Sequence, residues 1–127
     1  MSETLSILVV DDYPPLASIL AKILDLNGFE VQTANSGAEA LDILQSHPVD
    51  ILLTDVMMPD MNGIELYRET KKTHPSLTAI LMTGYAADDL IQQGFEEGIK
   101  TVLDKPLNMD YLVTLFSIIK ASKSNAG

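Results

Sequence analysis

Three carboxylates, a hydroxyl and an ammonium group follow short apolar runs of this sequence, where they could bind a metal ion and a phosphate-bearing substrate. Asp11 and Asp12 come directly after one run and Thr83 directly after another. Asp55 and Lys105 each lie two residues after the end of a further run. Two carboxylates about 4 Å apart repel by roughly 4 kcal/mol at an effective dielectric constant near 20, and one lysine supplies a single compensating charge. The hard oxygen ligands therefore favour a small divalent cation such as Mg²⁺.

The apolar runs themselves predict β-strands. Continuous runs indicate strands buried on both faces, whereas the alternating segment from Phe29 to Thr33 indicates an edge strand. The continuous runs are Ile7 to Val10, Ile51 to Leu53, Ala79 to Met82, and Val102 with Leu103. Between the strands, apolar residues recur at helical spacing. The two clearest stripes are Leu16, Ile19, Leu20, Ile23 and Leu24, and Leu112, Leu115, Phe116 and Ile119. The pattern is a strand and a helix repeated five times.

Residues typical of helix ends support these boundaries. The Pro14-Pro15 pair suits the first turn of a helix, and Gly28 suits a position just after a helix. The segment from Ser36 to Glu39 predicts a capping box. His47 and His74 each precede a proline, which disfavours the α conformation, so the second and third helices should end there. Both histidines are expected on the surface.

Alternating strands and helices predict a parallel sheet with right-handed crossovers and helices on both faces. In such α/β folds, ligands bind beyond the carboxyl ends of the strands, where the strand order reverses. The polar residues that follow the apolar runs should therefore meet at one edge of the sheet. The acidic pair Glu96 and Glu97 lies away from these ends and is expected on a solvated helix face.

Composition limits the classes of function. The 127 residues carry a net charge of -10, which repels nucleic-acid phosphates and anionic lipids. There is no cysteine, so disulfide and thiol chemistry are excluded. The first apolar run is too short for a signal or membrane helix, and a cytoplasmic protein is expected. We expect one domain over residues 1–122, followed by a polar tail over residues 123–127.

The motifs together closely resemble the receiver domain of bacterial two-component response regulators, from about Leu5 to Ile119. The matching pieces are Asp11-Asp12, the segment from Asp55 to Gly63, Met82-Thr83-Gly84, and Lys105-Pro106. The resemblance implies a CheY-like, flavodoxin-like fold, which is a doubly wound five-stranded parallel sheet in the order 2-1-3-4-5 with five helices. It also implies a signalling function in which phosphorylation switches a protein-interaction surface.

The resemblance assigns a metal-binding role to four residues. Asp12 and Asp55 would bind Mg²⁺ directly, Asp11 would act through a water molecule, and the main-chain carbonyl of Met57 would complete the protein ligands. Gly63 would permit the backbone geometry of the loop after the third strand.

The same resemblance assigns the phosphoryl chemistry. Asp55 would accept a phosphoryl group from a sensor histidine kinase or a histidine phosphotransfer protein. The Thr83 hydroxyl would donate to one phosphoryl oxygen, and Lys105 would pair with another. The Lys105-Pro106 peptide bond would be cis.

One position departs from the family pattern. Val102 stands where similar receivers have a tyrosine or phenylalanine that turns inward on phosphorylation, and valine is too short and stiff for that movement. The downstream target is a protein, expected on the face formed by the fourth helix, fifth strand and fifth helix. Tyr85 and the following segment to Gln93 are expected to transmit the change.

Three other functions share some of these features. A flavodoxin-like electron carrier needs a loop that binds the flavin phosphate, and the loop after the first strand carries Asp11 and Asp12, which would repel it. A phosphatase of the haloacid dehalogenase type needs Asp-x-Asp at the same place, where Asp12 is followed by Tyr13. A receiver-like interaction module that is never phosphorylated is the remaining alternative, although such modules lose the site residues present here.

Overall fold

Five strands alternate with five helices, as predicted. A computed structural model describes the backbone of residues 4–84 and 88–126 and the side chains as far as residue 122. The elements are β1 (Ser6–Val10), α1 (Pro14–Leu26), β2 (Glu30–Ala34), α2 (Gly37–Ser46), β3 (Ile51–Asp55), α3 (Gly63–Thr73), β4 (Thr78–Thr83), α4 (Asp88–Glu96), β5 (Thr101–Asp104) and α5 (Met109–Ala126). Tyr85, which was expected to transmit the change on phosphorylation, lies outside the described residues.

The strands form one parallel sheet in the order β2-β1-β3-β4-β5. The predicted doubly wound architecture and strand order are confirmed, and β2 lies at an edge as its alternating pattern indicated. The expectation that the last apolar run would be buried on both faces is wrong. Val102 and Leu103 are only half-buried, because β5 is the other edge strand and has a single neighbour.

Apolar residues of the central strands point alternately into two cores. On one face, Ile7 and Val9 pack with residues of α1 and α5, including Phe116, whose ring contacts Phe29 edge-on with centroids 6.0 Å apart. On the other face, Leu8 packs with residues of α2 and α3. This burial on both faces explains why β1, β3 and β4 have continuous apolar sequences. The central strands are therefore covered by helices on both faces.

The predicted helix ends are largely confirmed. Pro14 is the first residue of α1, and Gly28 follows the helix with a φ of +90°. His47 and His74 are the C-cap residues of α2 and α3. The Ser36 hydroxyl accepts a hydrogen bond from the Glu39 N–H, as expected of a capping box. The return bond differs from that motif, since the Glu39 carboxylate accepts from the N–H of the residue before Ser36.

Two helices differ from their sequence-based description. In α1 the buried positions are Ala17, Leu20 and Leu24, whereas Ile19, which was predicted in the buried stripe, is 56% exposed. In α5 the predicted stripe is confirmed, since its residue Leu112 is fully buried like Phe116. The backbone of α5 continues to Ala126, so residues 123–126 of the expected polar tail belong to a helix.

An ion pair joins α3 to Glu97, the residue that follows α4. Both ends of the Arg68 guanidinium donate to the Glu97 carboxylate, at 2.9 Å from Nε and 2.5 Å from Nη2. The Lys71 ammonium donates to the Glu97 carbonyl oxygen at 2.9 Å. The hydrogen bonds from Arg68 lower the pKa of Glu97 below its ordinary value. Glu97 therefore links α3 to the turn that follows α4, which corrects its expected place on a solvated helix face.

No helix in the two described ranges is both long and apolar enough to cross a membrane.

Candidate functional site

The carboxyl ends of four strands meet at one edge of the sheet. Asp11 follows β1, Asp55 ends β3, Thr83 ends β4 and Lys105 follows β5. These strands are parallel and in register, with Thr83 beside Asp104 and Asp55 beside Met82. A cavity of about 740 Å³ opens at this edge. All six residues predicted for the site line it, namely Asp11, Asp12, Asp55, Met57, Thr83 and Lys105.

Lys105 contacts two buried carboxylates at the floor of the cavity. Its ammonium nitrogen lies 3.0 Å from Asp11 Oδ2 and 2.5 Å from Asp55 Oδ1. Asp11 is completely buried and Asp55 is 4% exposed, whereas Asp12 is exposed. Burial disfavours a charge on Lys105, but the hydrogen bonds that its ammonium donates to Asp55 and Asp11 outweigh this effect and raise the pKa of the lysine. Lys105 therefore remains protonated at neutral pH.

The surroundings of Asp55 disfavour its ionised form. Burial of its carboxylate, reinforced by contact with Asp11, raises its pKa to about 7 against the opposing effect of Lys105. Its Oδ2 atom is buried and has no hydrogen-bond partner in the described part of the chain. A buried oxygen without a partner lowers the stability of the folded state, and a cation or hydrogen-bond donor bound to it would restore that stability.

The arrangement of donors fits a divalent cation. Carboxylate oxygens of Asp11, Asp12 and Asp55 lie within 4.8 Å of one another. When all are ionised, Lys105 neutralises only one of them, which leaves the cluster with two excess negative charges. The unpaired Asp55 oxygen and the hard oxygen donors suit Mg²⁺, which typically takes one or two carboxylates together with waters and a substrate phosphate.

Glycine at position 63 is required by a close approach. A Cβ at Gly63 would lie 2.3 Å from the carbonyl oxygen of Asp55, so α3 begins in direct contact with the end of β3. Its φ is not in the left-handed region, and the expected role in loop geometry is replaced by this contact; the positive φ of the loop, 69°, is at Asp60. A complete capping box between Asn62 and Glu65, which the sequence analysis did not predict, fixes this helix start.

The loop after β5 has the predicted backbone conformation. The Lys105-Pro106 peptide bond is cis. The Lys105 N–H donates to the Thr83 carbonyl oxygen at 2.8 Å, which continues the pairing of β4 and β5 beyond the strands. Lys105 therefore lies directly beside Thr83, just beyond the end of β5.

Much of the cavity wall is apolar, and this part was not predicted from the sequence. Its wall includes Leu16 and Ile19 of α1 on one side, and Leu107 and Met109 before and within α5 on the other. The apolar stripe of α1 has the ordinary spacing of a single buried face, so its pattern does not show that part of it lines a cavity. Ile19 remains exposed because it lies on this wall rather than in the core.

Five parallel strands in this order, with an acidic cavity at their carboxyl ends, define a flavodoxin-like, CheY-like α/β domain. The family model described as "Response regulator receiver domain" matches residues 7–117, and the chain belongs to that family. It is a receiver domain of two-component systems, homologous to the receiver domains of histidine kinases and response regulators. The family is one of signalling domains rather than classical enzymes.

Individual relatives support this assignment. Response regulator receiver protein Anae109_2439 of Anaeromyxobacter sp. (strain Fw109-5) is 39% identical over 108 residues, which cover 85% of this chain and 45% of that protein. Sensor histidine kinase RcsC of Escherichia coli is 36% identical over 111 residues, which cover 87% of this chain and 12% of the kinase. The chain spans less than half the length of these curated relatives.

Solved structures agree with the fold. The CheY-like response regulator receiver domain protein of Methanospirillum hungatei JF-1 superposes with a TM-score of 0.90 at 27% identity. The match covers 98% of this chain and 99% of that one. A receiver domain protein from Clostridium thermocellum has a TM-score of 0.87 at 30% identity and covers 97% of this chain.

Proposed function

We propose that this receiver accepts a phosphoryl group on Asp55 and that the transfer requires Mg²⁺. The donor is a phosphohistidine of a sensor histidine kinase or of a histidine phosphotransfer protein. The observation that carries the proposal is the state of Asp55, a buried carboxylate beside a lysine and two further carboxylates, with one oxygen that no described residue pairs. A carboxylate of this kind can attack phosphorus when nearby cations stabilise the negative charge on the phosphoryl group during the transfer.

The proposed step is an in-line substitution at phosphorus. An oxygen of the Asp55 carboxylate forms a bond to phosphorus while the bond between phosphorus and the imidazole nitrogen breaks. The product is an acyl phosphate on Asp55, and the imidazole leaves with the electron pair and regains a proton from solvent. Lys105, 2.5 Å from Asp55 Oδ1, is placed to pair with a phosphoryl oxygen as the charge moves there. Thr83 is the proposed hydroxyl donor to a second phosphoryl oxygen.

The metal would be held by residues already near one another. We assign Asp12 and Asp55 as direct ligands, Asp11 as a ligand through water, and the main-chain carbonyl of Met57 as the fourth protein contribution. Mg²⁺, when bound, offsets negative charge on the transferring phosphoryl group. The proposal is supported by the three clustered carboxylates, which a single lysine leaves undercompensated.

Phosphorylation would be signalled to a protein partner through α4, β5 and α5. We propose that the partner covers Phe95, Tyr111 and Ile118, which are large apolar side chains exposed on α4 and α5. Val102 is half-buried in β5, and a cavity of about 300 Å³ lies beside it. Without an aromatic ring at Val102, we expect the change to involve the segment from Tyr85 to Gln93.

We also propose the cytoplasm as the compartment in which this exchange occurs.

The output surface can be tested by comparing amide hydrogen exchange with and without beryllofluoride, a phosphoryl mimic, in the presence of Mg²⁺. Changed protection between Tyr85 and Gln93 is the expected result, because added charge beside Thr83 and Lys105 should draw their loops inward. Changes confined to α1 and α2 would move the output surface elsewhere.

The phosphorylation itself is tested by incubating the protein with Mg²⁺ and acetyl phosphate and measuring its mass. A single phosphoryl group should appear on wild type, and Asp55→Asn or excess chelator should abolish it. Asp104→Asn is a matched control, since it removes an exposed carboxylate near the end of β5 and should leave the reaction intact. A full mass gain in Asp55→Asn would exclude this residue as the acceptor.

A further inference from the structure

Asn35 lies outside the cavity but is bonded to the backbone of the acidic pair. It occupies the turn between β2 and α2, and its side-chain Nδ2 donates to the carbonyl oxygen of Asp11 at 3.0 Å. The N–H of Asp11 donates to the carbonyl oxygen of Ala34 at 3.1 Å. Two consecutive residues, Ala34 at the end of β2 and Asn35 in the turn, thus hold both polar groups of the Asp11 backbone.

The hydrogen bond from Asn35 to Asp11 is expected to have its largest effect on the position of the Asp12 carboxylate. Lys105 holds the carboxylates of Asp11 and Asp55 directly. Asp12 has an exposed carboxylate that makes no hydrogen bond or ion pair with any described residue, so only the backbone determines where it points. The peptide group that connects Asp11 to Asp12 is the group whose oxygen Asn35 binds. Rotation of that peptide would swing Asp12 away from the other carboxylates.

Asn35 is itself well anchored although its side chain is exposed. Its N–H donates to Glu39 Oε1 at 2.5 Å, and the Ser36 hydroxyl accepts from the Glu39 N–H at 3.1 Å. On the other side of the turn, Met61 packs so closely on Gly37 that a Cβ there would lie 2.6 Å from the Met61 sulfur. The turn is therefore fixed by α2 and by the loop after β3.

We propose that Asn35 is a positioning residue for the metal site, because its amide fixes the Asp11–Asp12 peptide and so directs Asp12 towards Mg²⁺. This inference rests on the proposed function, in which Asp12 is a metal ligand. Outer residues that orient metal ligands typically change metal affinity by 10–100-fold when they are removed. Since Asn35 acts through the backbone, an effect near the lower end, roughly tenfold, is expected.

The test is the Mg²⁺ affinity of the unphosphorylated protein, measured by isothermal titration calorimetry. Asn35→Ala and the similarly sized Asn35→Leu remove the donor and should each weaken binding roughly tenfold. Ser36→Ala is the matched control, because it removes the cap of α2 in the same turn without touching Asp11. It should bind Mg²⁺ as wild type does. At saturating Mg²⁺, both Asn35 variants should regain a phosphorylation rate with acetyl phosphate close to that of wild type.

Two results would overturn the positioning role while leaving the metal site intact. One is unchanged Mg²⁺ affinity in both Asn35 variants, and the other is an equal loss in Ser36→Ala, which would indicate general weakening of the turn. Absence of Mg²⁺ binding in wild type would instead overturn the metal part of the proposed function, and this inference with it.

Discussion

Replacing Asp55 with asparagine should make the metal-free protein more stable. Wild type buries this carboxylate beside Asp11, and among the described residues Oδ2 has no partner and Lys105 is the single counterion. The neutral amide keeps nearly the same volume, removes the repulsion from Asp11 and offers an N–H in place of the unpaired oxygen. The pKa of Asp55, raised to about 7, leads to the same expectation. The folded state favours the uncharged carboxyl group, so ionisation of Asp55 lowers the stability of the protein.

The size of the effect follows from the contacts. An unsatisfied buried polar atom costs about 1–3 kcal/mol. Two carboxylates within 4.8 Å repel by roughly 3–4 kcal/mol at an effective dielectric constant near 20. Attraction to Lys105 offsets most of that repulsion, and the variant loses this attraction as well. We therefore expect Asp55→Asn to increase the free energy of unfolding by about 1–3 kcal/mol, or Tm by roughly 4–12 °C.

The assay is urea denaturation followed by circular dichroism at pH 8, with chelator and then with Mg²⁺. In chelator the variant should be the more stable protein. Mg²⁺ at a hundredfold excess over Kd should stabilise wild type by about 2.7 kcal/mol and the variant much less, so the gap should close. Asp104→Asn, an exposed control, should stay within about 0.5 kcal/mol of wild type. A variant less stable than wild type in chelator, or equal stabilisation of both by Mg²⁺, would refute this reasoning.

Three further predictions concern the loops and the α3–α4 contact. Met57→Glu should speed loss of the phosphoryl group, measured by mass over time, because a carboxylate can orient an attacking water and a thioether cannot; a slower rate would contradict this. Gly63→Ala should lower stability by about 1–3 kcal/mol in urea melts, since its Cβ would lie 2.3 Å from a main-chain oxygen. Gly84→Ala, whose nearest described atoms lie 3.8 Å away, is its control, and equal effects would exclude a steric cause. The pKa of Glu97, followed by carboxyl NMR, should rise towards 4.5 in Arg68→Ala; because folding lowers it, this ion pair contributes stability above pH 4.5 and loses it as pH falls through the folded value.

Sequence alone determined the architecture and the membership of the site. Short continuous apolar runs are typical of strands buried on both faces, and the helical stripes between them predict a parallel doubly wound sheet. Parallel strands bring their carboxyl ends to one edge. Residues as distant in sequence as Asp11, Asp55 and Lys105 could therefore be assigned to one site from their positions after these runs, and the structure places them in one cavity.

Tertiary structure alone decided how those residues are paired and supported. Which carboxylates share Lys105, and which oxygen of Asp55 no described residue pairs, depends on distances of a few ångströms that no local pattern encodes. The exposure of Ile19 and the half-burial of β5 depend on where a helix and an edge strand lie in the finished sheet. The bond from Asn35 joins residues 24 positions apart. Periodicity reports the average environment of an element, whereas such contacts arise only when separate elements are packed together.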